Sequence, residues 1–287
     1  MTPESMPKSI LPPKSNTVFQ LLFGDPRNID LLADFLKAVL DIPHSEYRDI
    51  VIVNPYLPRE YPDKKLGIVD LRLTTRSGQI IHVELQRKPV PVMRDRLIFY
   101  DSSLVAGQIN PGEEYEALKR VISILITGYD LISESPLYHH RFTLYDHRAA
   151  VEFTDILEIH TLELTKIPKI PKPHDVYLCH WLRFFNAETK EELDMVATAS
   201  PAIQKATARV MKLSKNKRAR LLHEYEVKAR DYELARLYDA TEKGRAEGKT
   251  EERIAIIRNM LELKLPIETI VKATGWSPDE IKNIAIH

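Results

Sequence analysis

Three side chains in this sequence have the types and spacing for metal-assisted hydrolysis. Asp70, Glu84 and Gln86 follow one another as an aspartate, thirteen intervening residues, a glutamate, one residue and a glutamine. Two carboxylates brought close together repel at neutral pH, and a hard divalent cation with oxygen ligands relieves that repulsion most directly. Mg²⁺ is the expected ion, with Mn²⁺ as a substitute. Such an ion takes one or two carboxylates and a backbone carbonyl, for which Leu85 is placed, and keeps positions for water and a substrate phosphate. Gln86 points to the same side as Glu84 and can orient the attacking water. The plainer reading is a solvated face of two paired strands, with Arg72 and Glu84 as a cross-strand ion pair.

The elements that must position these residues are two strands and a turn. Leu66 to Thr74 and Gln79 to Arg87 alternate apolar and polar residues, and Ser77 and Gly78 between them predict a β-hairpin. Side chains alternate faces along a strand. Val69, Leu71 and Leu73 therefore share one face, and Asp70 and Arg72 the other; Ile81, Val83 and Leu85 oppose His82, Glu84 and Gln86. Pairing the strands with both apolar faces toward one core brings Asp70 and Glu84 out on the same side.

Around the hairpin the chain reads as alternating helices and strands. Helices are expected over Asn16 to Phe23, with Asn16 as a good N-cap, and over Ile29 to Leu40. Asp49 to Tyr56 reads as a first strand, Pro58 to Lys65 as a loop, and Val92 to Ile109 as a helix. Val121 to Thr127, Phe142 to Asp146 and Phe153 to Leu164 are further strands. Prolines between Lys166 and His174 exclude regular structure. Helical patterns follow over Glu188 to Ser200, Arg209 to Lys243 and Thr250 to Leu263, and Pro266 to Ile286 reads as two short helices around Gly275 with Ser277 as N-cap. The charged, glycine-punctuated GRAEGKTEER suits an exposed helix or a hinge.

The chain has 287 residues, enough for one sizeable core and an appendage. Its 41 basic and 41 acidic residues balance, so any nucleic-acid contact must use local patches rather than a global positive field. The single cysteine, Cys179, excludes an internal disulfide and a CxxC-type zinc site. With no signal-like apolar core and no membrane-length apolar run, a cytoplasmic location is expected. Arg87, Lys88, Arg94 and Arg96 lie beside the acidic hairpin and suit phosphate contacts, or simply a solvated face. Lys212, Lys215, Lys217, Arg218 and Arg220 form the densest basic run. His139 and His140 are adjacent, so on a strand they face opposite ways and cannot share a metal.

The segment IVDLRLTTRSGQIIHVELQ, followed by RDRLIFYDSSLVAGQINPGEEYEALKRVISILI, resembles the family of recombination-promoting nucleases and transposases within the PD-(D/E)xK superfamily. The likeness begins at NTVFQLLFG and LLADFLKAVL, continues through Arg96, Tyr100, Gln108, Gly112 and Tyr115, and returns in KATGWSPDEIKNI. It implies an α/β fold: a restriction-endonuclease-like core with a central mixed sheet flanked by helices, followed by a helical C-terminal region. It also implies magnesium-dependent cleavage of DNA at Asp70 and Glu84, with Gln86 where the superfamily usually has lysine. A neutral glutamine is no general base, so its implied role is to position water. Family members commonly carry an aspartate three residues before the phenylalanine of the first helix and a lysine just after it; this chain has Asn16 and Gln20. Asn16 then offers a weaker accessory oxygen or serves only as a cap.

The expected organisation is a proline-rich leader over 1–15, a nuclease-like core over 16–175, a helical extension over 176–243 and a small helical appendage over 244–287. The function these readings favour is a DNA endonuclease linked to recombination or a mobile element. The alternatives are a catalytically impaired DNA- or protein-binding descendant and a ligand-binding α/β protein.

Overall fold

Ser15, rather than Asn16, caps the first helix: its side chain accepts a hydrogen bond from the Val18 N–H, and α1 runs Asn16–Phe23. Both residue types cap well. The earlier start puts Val18, Phe19, Leu22 and Phe23 on one buried stripe. The computed structural model describes residues 10–53 and 71–286.

After α2 (Ile29–Val39) come β1 (Val51–Val53), β2 (Leu71–Thr74), β3 (Ile80–Gln86), α3 (Met93–Ala106), β4 (Val121–Thr127), β5 (His139–Asp146) and β6 (Val151–Glu163). The described strands form one sheet in the order β1-β2-β3-β4-β6-β5. It is mixed, as expected: β3, β4 and β6 run parallel, while β1, β2 and β5 pair antiparallel with their neighbours. The β2–β3 hairpin turns at Gly78, whose φ of 85° lies where L-residues are strained. Helix α3 carries the chain from β3 to its parallel neighbour β4, the crossover that parallel strands require.

Both faces of the central strands are covered. Val83 and Leu85 of β3, Ile124 and Ile126 of β4, and Leu71 and Leu73 of β2 enter a large core with α1, α2 and later helices. On the other face Met93 and Leu97 of α3 pack on Leu125 and Ile159, and Leu104 packs on Ile80 and Val121. The polar parity of β3 is therefore roofed by α3 rather than left in solvent.

Sequence periodicity did not delimit α4 (Val176–Asn186), although α4 is central to the core. Its VYLCHWLRFFN is rich in residues of modest helix propensity, and tertiary burial decides its state. Trp181, Phe184 and Phe185 are fully buried with Phe19, Phe23 and Phe35, and Phe35–Phe185 and Phe35–Trp181 meet edge-on at 5.1 and 5.8 Å. Asp34 of α2 accepts hydrogen bonds from Trp181 Nε1 at 2.9 Å and from the Tyr177 hydroxyl. Helices α5 (Lys190–Ala197) and α6 (Pro201–Lys215) add Leu193, Ile203 and Val210 to this core.

The chain divides into two compact units at Glu224 and Tyr225. Helix α7 (Lys217–Glu262) is continuous through Gly244 and Gly248, so GRAEGKTEER is helical. In the second unit α8 (Ile267–Thr274) and α9 (Pro278–Ile286) flank Gly275, and Ile257, Ile270 and Ile281 form a small core of their own. Ser277 and Glu280 make the reciprocal cap expected before α9. Among the described residues no helix is long and apolar enough to cross a membrane.

Candidate metal centre

Strand parity puts His82, Glu84 and Gln86 on the β3 face beneath α3, and the roof makes that face a buried polar site. Glu84 is only 2% exposed. Its Oε1 lies 3.3 Å from Arg96 Nη2 and 3.4 Å from Gln86 Nε2. Its Oε2 has no hydrogen-bond partner among the described residues. Arg96 comes from the first turn of α3, and its guanidinium sits 5.3 Å from the centre of the Tyr100 ring.

Next to Glu84 lies a group that the sequence reading did not assemble. His82, Asp101 and Ser123 are all fully buried. His82 Nδ1 is 3.3 Å from Asp101 Oδ1 and 3.2 Å from Ser123 Oγ, and the Ser123 hydroxyl donates to Asp101. His82 Nε2 is 3.7 Å from Glu84 Oε2. His82 was visible by parity with Glu84, but Asp101 of α3 and Ser123 of β4 meet it only through the crossover.

Tyr129 and Glu163 stand around the same centre. Burial raises the Tyr129 pKa, and the charges of Glu84 and Glu163 act in the same direction against a Val90 backbone hydrogen bond and Arg96. Glu163 is held by Lys166 Nζ at 2.7 Å and the Leu131 N–H at 2.8 Å.

The structure brings Glu84 and Gln86 together as expected. Asp70 lies outside the described residues; the last described pair beside it is Leu71 against Val83. Arg72 stands opposite His82, so the cross-strand ion pair with Glu84 is replaced by Arg96–Glu84. Burial lowers the Arg72 pKa. The side chain of Leu85 enters the main core. Of the four expected phosphate-contacting cations, Arg96 is turned onto Glu84, and Arg94 is tied to the Leu131 carbonyl at 2.6 Å and Glu134 at 3.2 Å. Arg87 is half-buried and Lys88 exposed. Asn16 opens α1, whose buried stripe belongs to the core on the sheet face away from Glu84. Tyr100 is buried.

The end of β3 is held close to β4: the Gly128 N–H donates to the Gln86 carbonyl at 2.8 Å, and a Cβ at Gly128 would stand 2.8 Å from the Arg87 carbonyl oxygen. Only glycine fits there without a backbone shift.

Among the described residues no three histidine, cysteine, aspartate or glutamate side chains converge to hold a metal unaided. Glu84 nevertheless suits one: a buried carboxylate oxygen without a donor is a ready ligand, and hard cations use as few as one or two carboxylates.

A second polar network occupies the opposite sheet face. Glu158 accepts from His160 Nε2 at 2.7 Å, from Arg141 at 2.7 and 2.9 Å and from Arg120. His139 Nε2 reaches His160 Nδ1 at 2.8 Å, while His140 turns to the other face beside Glu163. Burial opposes ionisation of Glu158, but hydrogen bonds from His160 and Arg141 hold its pKa down at about 2.

Residues 13–237 match a family model described as "PD-(D/E)XK nuclease family transposase". No curated protein and no solved structure matches the chain.

Proposed function

The chain belongs to the PD-(D/E)XK nuclease transposase family, and from that premise we propose that it is a magnesium-dependent DNA endonuclease serving a mobile element or recombination. The observation that carries this reading is the state of Glu84: Oε1 is held by Arg96 and Gln86, while Oε2 is buried without a donor among the described residues. Asp70 supplies the second carboxylate. Its support is the strand alternation of the sequence and the antiparallel register that ends at Leu71 and Val83. The Leu85 carbonyl is the third protein ligand.

A divalent ion held by these residues would polarise the scissile phosphate and lower the pKa of an attacking water. Gln86 holds and orients that water. Arg96 balances part of the Glu84 charge and keeps its carboxylate in one orientation. Arg87 and Lys88, at the end of β3, position the DNA backbone through its phosphates. Lys88 is exposed, whereas Arg94 and Arg96 are held by Glu134 and Glu84.

Nicking of supercoiled plasmid tests the proposal. Wild-type protein should nick with Mg²⁺ and with Mn²⁺, lose activity in chelator, and lose it with Asp70→Ala. Metal-independent DNA binding without nicking would select the non-catalytic, nuclease-derived binding module instead.

A further inference from the structure

We propose that His82 is a direct nitrogen ligand of the metal ion, oriented by Asp101, and that it makes the centre selective for Mn²⁺ over Mg²⁺. The inference rests on the metal-dependent reading above and adds a ligand to it.

Asp101 Oδ1 accepts from Ser123 Oγ and lies 3.3 Å from His82 Nδ1. A carboxylate can only accept, so the proton of a neutral His82 sits on Nδ1 and Nε2 presents a lone pair. Nε2 stands 3.7 Å from Glu84 Oε2. Both atoms are buried, and neither has a hydrogen-bond partner among the described residues. Two facing acceptors with no donor leave both unsatisfied, an unfavourable arrangement in a protein interior.

The donors available to Glu84 have gone to its other oxygen. Arg96 and Gln86 both approach Oε1, while Oε2 lies 3.7 Å from the imidazole Nε2. A cation between Oε2 and Nε2 satisfies both atoms at once. Ligand atoms 3.7 Å apart can each reach one ion at bonds of about 2.1 Å.

The shell behind the histidine fits the same role. A metal-bound imidazole commonly donates its remaining N–H to a carboxylate, which fixes the tautomer and strengthens the ligand. Asp101 is that carboxylate, and Ser123 braces it. Imidazole nitrogen favours transition ions, whereas Mg²⁺ prefers oxygen and water. A site that adds one imidazole to the Glu84 carboxylate therefore prefers Mn²⁺ while still admitting Mg²⁺.

Mn²⁺ bound to the full-length protein provides a readout independent of cleavage. Pulsed electron paramagnetic resonance of wild type should show hyperfine coupling to an imidazole nitrogen, and His82→Gln should abolish it. His82→Gln should also weaken Mn²⁺ binding by at least about 10-fold with a smaller effect on Mg²⁺. Asp101→Asn should weaken Mn²⁺ binding by about 10–100-fold while keeping the coupling. Failure of wild type to bind Mn²⁺, bound Mn²⁺ without imidazole coupling, or an unchanged Mn²⁺/Mg²⁺ preference in folded His82→Gln would overturn the inference. The last two results would leave His82 as a structural bridge between two carboxylates. If His82→Gln does not fold, the wild-type spectrum alone decides. Nicking without imidazole coupling removes only this ligand; coupling without nicking keeps the ligand and removes the nuclease reading.

Discussion

Arg96 Nη2 lies 3.3 Å from Glu84 Oε1, joining the first turn of α3 to the buried acid of β3. An arginine that sequence position offered to DNA is thus the counter-charge of the candidate metal ligand. Glu84 has 3% side-chain exposure and Arg96 has 31%, so the acid depends on this partner more than the arginine does.

Arg96→Met should therefore destabilise the metal-free protein, because it leaves a buried carboxylate with a lost charge partner. The expected loss is about 1–3 kcal/mol, the usual penalty for stranding a buried polar group. Mn²⁺ should recover much of it by supplying positive charge at the same carboxylate. Chemical denaturation in chelator and in Mn²⁺ measures both; equal loss under the two conditions would detach Arg96 from the metal centre.

Chemistry should depend on the carboxylates more than on the glutamine. Glu84→Gln removes a ligand and should nearly abolish nicking, whereas Gln86→Ala removes a contact that positions water and should leave a residual rate. Single-turnover nicking at saturating Mg²⁺ separates them. Undiminished cleavage by Glu84→Gln would sink the site assignment.

Stability should fall as pH drops from about 6.5 toward 4 because of His139. Burial, aided by the neighbouring His160, lowers its pKa from 6.5 to about 4. Over that window the unfolded chain binds the proton more readily than the folded one, so acidification favours unfolding. Above the upper limit the histidine is neutral in both states and the effect vanishes. Glu158 acts lower, its contribution being present above 4.5 and lost as pH falls through about 2. Urea denaturation at pH 7.5 and pH 5 should show a smaller pH dependence for His139→Gln than for wild type.

The second unit should melt by itself. Ile257, Ile270 and Ile281 make its core without sharing residues with the larger cluster. Ile270→Asp buries a charge there and should strip protection from α8 and α9 in hydrogen exchange, leaving β3 and β4 protected. Loss of protection in β3 and β4 as well would show that the two units fold as one.

Much of the candidate site was legible locally. That Glu84 and Gln86 share a face follows from parity, a property each strand carries without reference to the rest of the chain. The same alternation placed His82 with them. The caps at Ser277 and Glu280 and the turn at Gly78 were readable for the same reason: each depends on residues a few positions apart.

What the strands meet is not local, and there tertiary structure decided. Nothing near His82 in sequence announces Asp101, nineteen positions on, or Ser123, forty-one positions on. They converge because α3 crosses back over β3 on its way to a parallel β4. Nor did periodicity delimit α4, whose Trp181 and Phe185 are helical because they fill a core built with Phe23 and Phe35. Alternation along β3 determined which side chains would stand together; the roof of α3 decided that they stand in a buried polar site, where an oxygen and a nitrogen without hydrogen-bond partners among the described residues favour a cation far more than they would in water.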